Sequence, residues 1–84
     1  MQATVVLINQ QRGMVAAKTE DGEFSIFELL CSYDVEVGDI ISCADFTSMG
    51  SEVYRNVTKN ESMSIYVQNI CGGLEQAKRQ VFLA

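Results

Sequence analysis

Residues 3–27 read ATVVLINQQRGMVAAKTEDGEFSIF, three apolar runs separated by two polar turns. The first run, Ala3 to Asn9, is rich in β-branched residues that suit a buried, pleated strand. Gln10-Gln11-Arg12-Gly13 reads as a turn, and Met14 to Thr19 as a second strand. Glu20-Asp21-Gly22-Glu23 is a tight turn of the Asp-Gly type. In the third run, alternation places Phe24 and Ile26 on one face and Ser25 and Phe27 on the other.

Further along the chain, residues 28–39 form a connection with acids at Glu28, Asp34, Glu36 and Asp39 and no base. Ile40 to Phe46 and Glu52 to Lys59 read as the fourth and fifth strands around a Ser48-Met49-Gly50-Ser51 turn. Arg55 interrupts the alternation of Val53 and Val57, which predicts a bulge or an open edge. In residues 62–68, Met63, Ile65 and Val67 share one face, and Ser64, Tyr66 and Gln68 the other. Gly72-Gly73 breaks that strand. Leu74, Ala77 and Val81 then make a helical stripe at i, i+3, i+7. Glu75 early, and Lys78 and Arg79 late, suit the helix dipole. Short strands, glycine turns and one terminal helix predict an all-β fold, a small antiparallel barrel.

The totals bound the chemistry. A chain of 84 residues is a single domain with a small core. With no proline, its six glycines carry most of the turns. A net charge of −5 argues against broad attraction to nucleic acid or anionic lipid, though a local basic strip is compatible with it. Without histidine there is no His-based metal site or general base. Cys31, Cys43 and Cys71 are odd in number and lack a C-x-x-C spacing, so they read as reduced core cysteines with no metal. The N-terminal apolar run has no basic region before it and no cleavage site, and is too short to span a bilayer. The expectation is a soluble, cytoplasmic protein without a membrane partner. No nucleophile–base pair is evident, which points away from an enzyme and gives no catalytic residue. No cofactor is expected either. Gly72-Gly73 lacks the further residues of a phosphate-binding motif and reads as a strand-to-helix turn.

The order of these pieces resembles the cold-shock domain, a five-stranded OB-fold barrel. That family opens T-V-K-W-F-N-x-x-K-G-F-G-F-I, followed by an acidic D-G turn and V-F-V-H. Thr4 to Ala17 sits in the same register, Asp21-Gly22 matches the turn, and Phe24 to Phe27 falls at V-F-V-H. Val37-Gly38-Asp39-Ile40-Ile41 is similar to the family's approach to strand four, and Asn56-Val57-Thr58-Lys59 to the end of strand five. The resemblance implies an OB-like, cold-shock-like barrel over residues 1–60, with 61–84 as an extra strand and short α-helix packed on it.

The family binds single-stranded RNA and DNA on exposed aromatics of the first three strands. Here Leu7, Met14, Ala16 and Ser25 stand at former stacking positions. Phe27 takes the histidine position, or the phenylalanine position if the register shifts by one. At about 1–3 kcal/mol per stacked base, losing three of these four positions already removes on the order of 3–9 kcal/mol. The function implied is therefore weak binding of single-stranded RNA or DNA through Phe27 and the bases Arg12, Lys18, Arg55 and Lys59. Read from the residues alone, those bases are equally solvated strand-edge charges. Leu7 and Met14 are either extra core covered by the C-terminal segment or an apolar patch for a protein partner or a second copy. The apolar faces of residues 61–84 must dock somewhere. Gly72-Gly73 permits a reversal onto the chain's own barrel, which predicts a monomer; docking on a second copy would give a homodimer.

Overall fold

Alternating and β-branched residues form six antiparallel strands in the computed structural model, which describes residues 1–83. Ala84, the last residue of the expected 61–84 extension, lies outside the described residues. The strands are β1 (Gln2–Asn9), β2 (Met14–Thr19), β3 (Phe24–Leu29), β4 (Ile40–Ser42), β5 (Gly50–Asn56) and β6 (Glu61–Cys71). They close a barrel in the order β1-β2-β3-β6-β5-β4, small and OB-like as expected. The C-terminal strand β6 is a full stave, hydrogen-bonded to β3 on one side and β5 on the other. A short helix α1 (Leu74–Lys78) follows and widens into a π-helical turn over Arg79–Leu83. No helix among the described residues is long and apolar enough to cross a membrane.

Inside the barrel, Val5, Val15, Ala17, Phe27, Ile41, Tyr54, Met63, Ile65 and Val67 form the main core. Phe27 and Phe46 both meet Tyr54 edge-on, with ring centroids 5.1 and 5.3 Å apart. The Tyr54 hydroxyl needs a partner at this depth and shares a 3.2 Å hydrogen bond with Ser25. Burial pushes its phenol up to about 12.

Two bulges adjust which side chains face inward. Val6 is the extra residue where β1 slips against β2, so Val5 and Ile8 point to the core while Leu7 packs outside. Gln68 plays that part in β6, between the pairs Ile26↔Asn69 and Phe27↔Val67. The irregularity expected at Arg55 is absent, and β5 pairs with β6 without a slip from Gly50↔Val67 to Asn56↔Glu61. Tyr54 and Asn56 are the inward residues of β5, so Val53 and Arg55 point outward and the alternation is intact. The fourth strand is shorter than expected, ending at Ser42 rather than Phe46.

Candidate functional site

Met14 and Ala16 on β2 and Phe24 and Ile26 on β3 point out of the barrel, beside Leu7 on β1. This is the face where the cold-shock resemblance puts its base-stacking platform. In this chain it is covered. Ala77 and Val81 of the C-terminal helical segment are fully buried against Met14, Ala16, Phe24, Ile26 and Cys71, with Val6 and Leu7 at the margin. The small residues Ala16 and Ala77 let strand and helix approach closely. Leu74, the first residue of the expected stripe, stays exposed. Of the two readings open for Leu7 and Met14, the structure shows the covered one.

Two β1–β2 residues hold the end of the helical segment. Asn9 Nδ2 donates to the Val81 carbonyl at 3.0 Å, and Arg12 Nη1 donates to the carbonyls of Gln80 and Val81 at 3.2 and 3.1 Å. These carbonyls lie in the last turn, where a helix has no internal donors for them. Arg12 thus completes the helix terminus.

Phe27 and Ser25, assigned to the binding face from the sequence, are both inside the barrel and fully buried. Phe27 cannot stack on a base from there. The reason is the strand's two-sidedness: both faces of β3 carry a phenylalanine, and the barrel closes over the Ser25–Phe27 face while the helical segment covers Phe24 and Ile26. The remaining bases do not line one groove. Arg12 lies in the β1–β2 turn, while Lys18 lies at the far end of β2 with no ion-pair partner among the described residues. Arg55, on the outer face of β5, donates to the Asn60 side chain. Asn60 sits in the left-handed region, φ 55°, in the β5–β6 turn.

Lys59 belongs to a polar network that joins the two sequence pieces quoted for the third connection and the end of strand five. Asp39 Oδ2 accepts from Asn56 Nδ2 at 2.9 Å, the Glu36 amide at 3.0 Å and Lys59 Nζ at 3.0 Å. Lys59 Nζ also meets Glu36 Oε1 at 2.7 Å and Asp34 at 4.0 Å. Burial alone would raise the Asp39 carboxyl, but its donors outweigh burial and hold it below the usual carboxylate range. The Glu36 carboxylate, with Asp39 and Asp34, holds the Lys59 ammonium above its ordinary range against the opposing effect of burial. Lys59 is thereby committed to three carboxylates, and its charge is not offered outward.

An open side of the barrel is the outer face of β5 and β6, bordered by the Glu28 end of β3. Ser64 lies at its centre, paired with Val53 on β5 and accepting at its carbonyl from the Leu30 amide just after β3. Val53 is 64% exposed, Leu30 51% and Tyr66 43%. Ser51, Ser62 and Ser64 fill the spaces between them, with Arg55 and Glu28 on opposite margins. A groove of about 470 Å³, lined by Arg12, Met14, Glu28, Gln68 and Gln80, runs between this face and the helical segment. Sequence reasoning passed over Tyr66 and Val53. The signal was there for Tyr66, an aromatic on the polar face of the alternation over 62–68.

The face is neutral at its centre, with Val53, Tyr66 and Leu30 exposed among serines. Among family models, curated proteins and solved structures, nothing matches this chain.

Proposed function

We propose that the protein is a non-enzymatic binding module that engages a protein partner through the outer face of β5 and β6 and the Glu28 end of β3 with the adjoining Leu30. The carrying observation is the group Val53, Tyr66 and Leu30 exposed around Ser64 on a continuously paired sheet. Tyrosine and aliphatic side chains on a flat, centrally uncharged surface favour a partner with an apolar centre. The chain's −5 charge selects against a strongly acidic partner. Three free cysteines fit action in the cytoplasm, although only Cys71 is buried in a core as expected, with Cys43 half-buried and Cys31 exposed. The test is capture of a partner by the native chain, with a photoreactive residue at Ser62 to map the contact. Val53→Arg and Tyr66→Ala should each lower that partner's affinity by about tenfold or more without lowering the melting temperature. Partners that tolerate both substitutions would overturn the assignment of this face.

Tyr66 also favours a second reading, weak binding of single-stranded RNA or DNA. It is an exposed aromatic on an open sheet, with Arg55 on one neighbouring strand and the Arg12 groove beyond the other. Oligo-dT and oligo-U should then bind no more tightly than micromolar, with affinity falling as salt rises and lost in Tyr66→Ala. Fluorescence anisotropy with no change up to ~100 µM protein at low salt would remove this reading.

A further inference from the structure

Four of the six glycines adopt positive φ and are required by their turns, but Gly72 and Gly73 do not. Gly73 is extended, at φ −136° and ψ 143°. A Cβ on Gly72 would meet nothing within 4 Å, and one on Gly73 only the Gln76 side chain at 3.8 Å. The closed structure thus requires neither glycine, for conformation or for space. Adjacent glycines cost conformational entropy when fixed, so a pair that the closed form does not use marks a link that takes a second conformation.

The segment beyond that link is bound as a ligand would be. Its buried side chains, Ala77 and Val81, sit in a groove formed by Leu7, Met14, Ala16, Phe24 and Ile26. Asn9 and Arg12 grip its terminal carbonyls. Its first residue has no side-chain cap. Its outward face carries Leu74, 44% exposed, and Phe82, 46% exposed. Leu74 and Phe82 thus face away from the barrel, and the smaller Ala77 and Val81 face in.

We propose that the groove across β1, β2 and β3 is a receptor for the C-terminal helical segment of a second copy, and that two chains dimerise by exchanging residues 74–83 across the Gly72-Gly73 hinge. The groove contacts are the same whether the segment comes from its own chain or from the partner, so they do not decide the equilibrium. Two things do. The link is only two residues long, so it leaves little slack between β6 and the helical segment, and short hinges promote exchange. Exchange also brings two barrels together at the helical segments, where Leu74 and Phe82 gain a surface to cover. This dimer uses a different face from the protein-binding surface proposed above.

Light scattering on the eluting full-length chain reads the assembly, and hinge length tests its cause. Dimer should appear between the micromolar range and the millimolar effective concentration typical of a short tether. Deleting Gly72 and Gly73 should shift dimerisation to about tenfold lower concentration or further, and inserting Gly-Ser-Gly-Ser between them should return the chain to monomer. A covalent trap checks the geometry. Chains carrying Met14→Cys are mixed with chains carrying Val81→Cys, on a background with the three native cysteines replaced by serine or alanine. Oxidation should link the two different chains. A chain that stays monomeric at millimolar concentration overturns the proposal. So does a dimer whose population ignores hinge length, or an equimolar mixture that yields no link between the two variants. If the deletion variant does not fold, the insertion variant and the trap decide. Val53→Arg should leave this dimer intact, so failure here and failure of the proposed protein-binding face are separable.

Discussion

At Asp39 one carboxylate oxygen gathers three donors from three places in the chain. Asp39→Asn should cost about 2–4 kcal/mol in denaturant unfolding at neutral pH, because it leaves Lys59 and Asn56 facing an amide. The folded carboxyl is depressed, so its contribution is present above the ordinary carboxylate range of about 4 and is lost as pH falls through the folded value. Native stability should therefore decline from about pH 4 downward, and Asp39→Asn should flatten that decline. At Tyr54 the sign is opposite. The folded phenol is raised to about 12, so stability is retained below the unfolded value and falls as pH climbs above about 10. Tyr54→Phe should cost about 1–2 kcal/mol by stranding the buried Ser25 hydroxyl, and adding Ser25→Ala should recover most of it. Neither cluster was legible at this scale. Asp39, Asn56 and Lys59 looked like pieces of two turns, and nothing local brings them together.

Among the elements, the Asp-Gly turn, the strands on either side of it and the clean alternation of β6 could be read from residue period alone. So could the division of β3 into a Phe24–Ile26 face and a Ser25–Phe27 face. What could not be read was which face points inward, because β2 and β3 are apolar on both sides. That two-sidedness is itself the mark of strands covered on both faces. Phe27 went to the core, and the C-terminal helix covers the other side. Val81→Ala should lower stability by about 1.5–2.5 kcal/mol, from two lost methyl groups and the cavity beneath them. Arg12→Ala should cost about 1 kcal/mol and loosen the helix, seen as faster amide exchange over 77–82 with the β-strands unaffected. Ala16→Leu should lift the helix by overpacking, at about 1–3 kcal/mol in thermal unfolding.

For the molecule as a whole, β6 is the stave on which closure depends. A chain ending at Glu61 loses the partner of both β3 and β5, leaving two open edges and an exposed core. It should show no cooperative thermal transition and should aggregate; a melt at the full-length temperature would contradict the role of β6. The order of residues was enough to specify the all-β class, the short strands and their turns, and the loss of aromatics from the face that the cold-shock resemblance would use. Period and turn chemistry act over a few residues, so they survive in a linear reading. The inward turn of Phe27, the commitment of Lys59 to three carboxylates and the helix over Leu7, Met14 and Ala16 did not. Each arises between segments tens of residues apart, where closing the barrel determines which of several compatible partners a side chain meets. The open face around Val53 and Tyr66 is the remainder of that choice: the outer surface of β5 and β6, up to the Glu28 end of β3, lies beyond the part of β3 that the C-terminal helix covers.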